Sequence, residues 1–174
     1  MKKSVIYSLA IGAGVWLLSA CGGNTDTSNG KQSETTVQES ATTDPSTLPV
    51  KEIEVNTTGN TMAEMKFDVT ELHAAAGQKV KVTLHNKSVD EAMQHNIVFI
   101  KKGTGETVGI AGMQAGLSKN FTPDSPDVIA GSDMIGPGKS TTFEFTAPLE
   151  KGEYEFICTY PGHFTIMKGV FMVE

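Results

Sequence analysis

The stretch from Tyr154 to Met167 reads YEFICTYPGHFTIM, and it determines how the rest of the chain is interpreted. Its first half alternates between apolar and polar residues, so Tyr154 and Cys158 share one face of a predicted β-strand. The turn signal Pro161-Gly162 brings His163 back towards the Cys158 sulfur. Met167 then opens the last predicted strand. The pattern therefore places a thiol, an imidazole and a thioether around one end of a strand pair.

A second imidazole comes from His95, which precedes the apolar run from Ile97 to Ile100 and so begins a different predicted strand. Two imidazoles, a thiolate and a weak thioether are the donor set of a blue-copper site. Taken singly, each residue has an ordinary structural explanation, because buried Cys and Met commonly fill cores. The conjunction of all four favours a metal site, and copper is the ion that this donor set suits.

Short apolar runs separated by turn signals continue from Val50 to the end of the sequence. This pattern predicts an all-β domain over residues 50–174, an antiparallel β-sandwich. The Gly-rich stretch 104–138 is less regular, and we expect one short helical insertion there, over residues 113–117. The strands are predicted over residues 79–85, 97–100, 141–145, 153–158 and 170–173.

The N-terminal residues carry an export signal. Lys2 and Lys3 precede a short apolar run, and Leu18-Ser19-Ala20-Cys21 is typical of a lipoprotein cleavage site. We therefore expect a signal peptide over residues 1–20 and a lipidated Cys21 at the head of a polar, disordered tether, residues 21–49. An uncleaved N-terminal anchor is the alternative. Either way, the protein is predicted to be exported and held on the periplasmic or cell-surface side of a bacterial membrane.

Charge and cysteine content exclude some functions. The net charge is −6 and the chain has no arginine, which argues against nucleic-acid binding. Of the two cysteines, Cys21 is predicted to carry lipid, which leaves Cys158 as a lone thiol in an oxidising compartment. Metal ligation would protect such a thiol from oxidation.

Residues 50–174 resemble the azurins of the cupredoxin family, most clearly in the segments Met93–Asn96 and Cys158–Met167. The resemblance implies a Greek-key β-sandwich that binds one type 1 copper ion. It also assigns the ligands: His95, Cys158 and His163 in the equatorial plane, with Met167 on the axis.

Further roles follow from the same resemblance. In azurins a backbone carbonyl before the first histidine lies on the axial line; here that carbonyl belongs to Gln94, which replaces the family's glycine. Asn96 matches a residue that links the two ligand loops by hydrogen bonds.

The resemblance also predicts a docking surface. The edge of His163 is expected to reach the surface within an apolar patch where redox partner proteins dock, and this predicted patch is lined by Met65, Met93, Met113, Tyr160 and Pro161. For Met65 and Met113, packing in the hydrophobic core is the alternative.

The predicted function is transfer of single electrons between redox partner proteins, by a membrane-anchored copper protein that is not an enzyme. A copper-binding or delivery lipoprotein without an electron-transfer role is the alternative. A copper enzyme is disfavoured because such sites typically place histidines beside the cysteine, whereas Ile157 and Thr159 flank Cys158.

Overall fold

The computed structural model describes residues 45–174. The predicted signal peptide 1–20, the lipidation site Cys21 and the tether up to residue 44 lie outside the described residues. Within them the chain forms nine β-strands and one α-helix, α1 (Gly105–Ala115). The strands are β1 (Lys51–Thr58), β2 (Lys66–Phe67), β3 (Glu71–Ala74), β4 (Lys79–Asn86), β5 (Val98–Lys101), β6 (Val128–Gly131), β7 (Ser140–Thr146), β8 (Gly152–Ile157) and β9 (Lys168–Val173).

The strands form two packed sheets, as the sequence predicted. One has the order β2-β1-β4-β7 and the other the order β3-β9-β8-β5-β6. The sheets are mixed and not purely antiparallel as predicted, because β1 pairs with β4 and β3 pairs with β9 in parallel. Between β1 and β4 the chain crosses to the opposite sheet, where it forms β3. When it returns to the first sheet, β4 runs in the same direction as β1.

Aromatic rings fill the space between the sheets. Phe99 of β5 is fully buried and contacts rings from both sheets, including Phe145 of β7 at 4.7 Å and Phe171 of β9 at 5.0 Å between ring centroids. The strict alternation of β4 places its apolar side chains in the same layer. Burying a large apolar side chain stabilises a fold by about 1.5–3 kcal/mol, so this layer is the main support for the ligands above it.

Helix α1 covers the outer face of the five-stranded sheet. Val108 packs there against Val98, Ile100 and Ile157, which explains why residues 97–100 are apolar without alternation: both faces of β5 are buried. The predicted helix over 113–117 overlaps only the end of α1. The early part was missed because glycine is a poor helix former, yet Gly109 and Gly112 are needed here for close packing.

Both ends of the described chain lie at the same end of the sandwich. The side chain of Gln78 donates a hydrogen bond to the Pro49 carbonyl, and Glu174 exchanges backbone hydrogen bonds with Ala74 and Ala76. Strand β4 runs from this end to Asn86 at the opposite end, about 23 Å away at about 3.3 Å per residue. Among residues 45–174, no helix combines the length and the apolar character needed to cross a bilayer.

Candidate metal centre

Three of the predicted ligands meet at the end of the sandwich where β8 finishes. The Cys158 Sγ atom lies 3.7 Å from His163 Nδ1 and 3.9 Å from His95 Nδ1, and the two Nδ1 atoms are 3.3 Å apart. The three side chains are 0–1% exposed. They form a cluster with metal-binding spacing.

The spacing of these atoms fits a single metal ion. A point equidistant from three atoms at these separations lies about 2.1 Å from each of them. Protein zinc sites, for comparison, have metal–nitrogen distances of about 2.0–2.1 Å and metal–sulfur distances of about 2.3 Å. A flat triangle of two nitrogens and one sulfur is the equatorial set of a type 1 copper site. Met167, the predicted thioether ligand, is also fully buried.

A short loop between β8 and β9 sets the positions of three ligands. The Cys158 N–H donates to the Met167 carbonyl, and the Met167 N–H donates to the His163 carbonyl. Gly162 has a φ of +84°, a conformation that favours glycine, and it lets the loop turn so that His163 faces the sulfur. The Pro161-Gly162 turn signal in the sequence thus corresponds to the bend that closes the site.

His95 is held from the other side by a residue that sequence analysis missed. The backbone of His95 pairs with Ile135, and the buried Asn86 donates side-chain hydrogen bonds to the carbonyls of Met93 and Ile135. The side-chain oxygen of Asn86 accepts hydrogen bonds from Thr57 and Ser88, so both ends of the amide have partners. The sequence did contain an indication of this role. Every second side chain of β4 faces inward, and Asn86 occupies the last of these inward positions, where a polar residue indicates a buried hydrogen-bonding role.

Asn96 joins the two ligand loops. Its side-chain NH₂ donates to Thr159 Oγ1 and its carbonyl oxygen accepts the Thr159 N–H, both at 2.8 Å. The backbone N–H groups of Asn96 and Tyr160 donate to the Cys158 sulfur. These bonds fix the distance between the His95 and Cys158 loops and stabilise negative charge on the sulfur.

Burial sets the protonation of the ligands. Loss of hydration lowers the pKa of His95 from 6.5 to about 4, with a further contribution from the neighbouring His163, and lowers the pKa of His163 to about 4. Both rings are therefore neutral near pH 7 and present lone pairs. Burial raises the pKa of the Cys158 thiol to about 11, against the two N–H donors. A metal ion that binds here must displace the thiol proton.

The predicted docking patch is partly wrong. Met65 and Met93 are 1% and 7% exposed, so both belong to the core, and His163 is only 1% exposed. The Met93 side chain packs in the hydrophobic core. Pro161 is exposed and Tyr160 half-buried.

Two further methionines belong to the surface. Met113 is exposed on α1, as predicted. Met62 was missed: it is 47% exposed, and its methyl group lies over Gly162 of the ligand loop.

Gln94 has an ordinary backbone conformation. Among the described residues, the non-glycine positions with positive φ are Asn120 and Phe121, so position 94 does not require glycine's conformational freedom. A contact between the Gln94 carbonyl and the metal stays a prediction.

Comparison with known proteins identifies the family. Residues 53–174 match the copper binding proteins of the plastocyanin/azurin family. The chain belongs to this family. It is 38% identical to auracyanin-A of Chloroflexus aurantiacus over 125 residues, which cover 70% of this chain and 74% of that protein. It is 33% identical to azurin iso-2 of Methylomonas sp. (strain J) over 121 residues, covering 68% and 94%.

Solved structures of family members share the fold. The reduced auracyanin of Roseiflexus castenholzii superposes with a TM-score of 0.63 at 38% identity, covering 71% of this chain and 97% of that one. Auracyanin A of Chloroflexus aurantiacus, a blue copper protein, gives a TM-score of 0.64 at 33% identity, covering 72% and 100%. Family membership and the geometry of His95, Cys158 and His163, with Met167 buried in the ligand loop, fit one type 1 copper ion.

Proposed function

We propose that this protein carries single electrons between redox partner proteins through its type 1 copper site. The observation that carries the proposal is the burial of a converged ligand set: Cys158, His95 and His163 are 0–1% exposed and already face one another. When bound, copper supplies a one-electron couple between Cu(I) and Cu(II). Ligands fixed by strand ends and a hydrogen-bonded loop need to move little between these states, which favours fast transfer.

The surrounding residues bias the site towards the reduced state. With one thiolate and two neutral imidazoles, the oxidised site carries one positive charge and the reduced site none. A dry environment disfavours the charged form. The N–H groups of Asn96 and Tyr160 stabilise electron density on the Cys158 sulfur, which has the same effect. Both features raise the reduction potential.

Partner proteins are proposed to dock over the ligand loop. Pro161 is exposed there, Met62 lies over Gly162, and the ring of Tyr160 contacts the His163 ring with 4.7 Å between centroids. Apolar surface beside a metal ligand suits brief, weak association. Met113 of α1 extends this surface in the proposal. Its partners are redox proteins.

Anchoring through Cys21 completes the proposal. The sequence around Cys21 supports export and lipid attachment, which would keep the carrier on the outer side of the membrane. Replacement of Cys21 by Ser should release the protein from the membrane fraction. The Cys158→Ser variant is the matched control, and it should stay in that fraction. Equal fractionation of both variants would contradict lipid anchoring.

The decisive test of copper chemistry is addition of Cu(II) to the purified protein. An intense blue colour from thiolate-to-copper charge transfer is expected, and Cys158→Ser should abolish it. Met167→Leu is the matched control: it removes only the thioether and leaves Cys158 and both histidines in place, so the protein should stay blue with a changed potential. Copper delivery, in contrast, requires exchangeable metal. Loss of copper during repeated oxidation and reduction, or stoichiometric binding without colour, would contradict the carrier function.

A further inference from the structure

A segment outside the ligand loops has an unusual backbone. Asn120 and Phe121 have φ values of 52° and 54°. Asparagine tolerates this left-handed conformation, but a bulky aromatic residue rarely adopts it. Such strain persists only where surrounding contacts enforce it, and it is concentrated at functional sites.

Hydrogen bonds at Phe121 and at the residue before it hold this conformation. The Phe121 N–H donates to the Gly116 carbonyl. The side chain of Asn120 donates to Asp133 Oδ1 at 2.8 Å and accepts the Met134 N–H at 3.1 Å. Two loops are therefore tied to the residue immediately before Phe121.

Close packing at Gly112 and a hydrogen bond from Asn96 also constrain this segment. The Phe121 carbonyl lies where a side chain at Gly112 would be, so only glycine leaves room for it. The Asn120 carbonyl accepts a 2.8 Å bond from Asn96, the residue that also links the ligand loops. The strained segment is thus connected directly to the framework of the site.

The ring of Phe121 is linked to the metal centre through one intervening ring, that of Tyr160. It contacts the Tyr160 ring edge-on, with 5.4 Å between centroids and 70° between planes. Tyr160 in turn contacts the His163 ring at 4.7 Å and 59°. Aromatic pairs at these separations have a preferred geometry, so fixing the first ring restricts the other two.

We propose that Phe121 is a positioning residue for the metal centre: clamped by Asn120 and Gly112, it holds Tyr160 against His163, fixing the ligand ring and keeping water from it. This inference rests on the proposed function. Without the Phe121 ring, Tyr160 can move and water can reach His163. Water stabilises the charged oxidised site, so the reduction potential should fall.

The test compares Phe121→Ala with Phe121→Tyr in the copper-loaded full-length protein. The alanine variant should show shifted charge-transfer bands and a lower reduction potential, and the tyrosine variant, which keeps the ring, should match the wild type. In the metal-free protein, the nuclear Overhauser contacts between Tyr160 and His163 should weaken with alanine and persist with tyrosine. Asn120→Ala, which removes the clamp and keeps the ring, should shift the potential in the same direction.

Phe143→Ala is the control for general loss of stability. Phe143 is also half-buried and contacts two rings, Phe99 and Phe145, within the core. Its loss should lower the unfolding midpoint and leave the spectrum unchanged. If Phe121→Ala does no more than this, the positioning role is wrong. If the alanine variant fails to fold, Phe121→Leu gives the same comparison, because it keeps apolar volume without the ring. A wild type that never turns blue would instead refute the proposed function.

Discussion

The metal-free protein should lose stability when the pH falls from 7 to 5. The pKa values of His95 and His163 are lowered to about 4 in the fold, against 6.5 for a solvated histidine. Between these values the unfolded chain binds two protons that the folded chain excludes. The free energy of unfolding therefore rises with pH across this window and falls on acidification.

The size of the effect follows from these pKa values. A difference of one pKa unit corresponds to about 1.4 kcal/mol. Integrated from pH 7 to pH 5, each imidazole removes about 2 kcal/mol of stability. The two rings together should remove about 4 kcal/mol, a large part of the 5–15 kcal/mol that is typical of a folded domain.

Urea unfolding of the metal-free protein at pH 7, 6 and 5, followed by circular dichroism, measures this loss. The double variant His95→Asn, His163→Asn provides the comparison, because His73 and His85 are present in both proteins. The variant should lose about 4 kcal/mol less than the wild type over this range. Parallel pH profiles for the two proteins would refute the assignment of the acid sensitivity to the ligand pair.

Three further outcomes are expected. Above pH 9 the metal-free protein should lose about 2–3 kcal/mol, since the pKa of the Cys158 thiol is raised to about 11 and the unfolded chain releases this proton first; a Cys158→Ser protein with an equal loss would contradict this. Asn86→Ala should cost about 2–4 kcal/mol in urea unfolding, because the buried Met93 carbonyl loses its donor and the donors on Thr57 and Ser88 lose their acceptor; a cost below about 1 kcal/mol would show that water replaces the amide. Gly169→Ala should cost about 1–3 kcal/mol, since the added methyl meets the Phe156 ring, whereas Gly136→Ala, in open space, should be neutral.

The sequence predicted the strands well where alternation was strong. The strand predicted over residues 79–85 is β4 (Lys79–Asn86), and that over 141–145 is β7 (Ser140–Thr146). Both have one face in the core and one in water, so the side-chain pattern alone reports their conformation. The ligand set was predictable for a different reason: metal chemistry restricts the residue types, and three of the four ligands are close in sequence.

Long-range features were harder to predict. Parallel pairing of β1 with β4 depends on the path of the chain between two sheets, which local patterns do not encode. Helix α1 depends on glycines that are unfavourable locally and needed for packing against Phe164 and Phe121. The burial of Met65 and Met93 reflects the way their loops fold over the core, which composition does not reveal.

The shared location of Pro49 and Glu174, opposite the ligand loop, has a practical consequence. A fused protein, an affinity tag or a surface-attachment group placed at either end of the domain would leave the ligand loop open to solvent. For the same reason, a short linker between residues 174 and 45 could join the ends of the domain. Immobilised on an electrode through either end, the protein would present its electron-exchanging side outward.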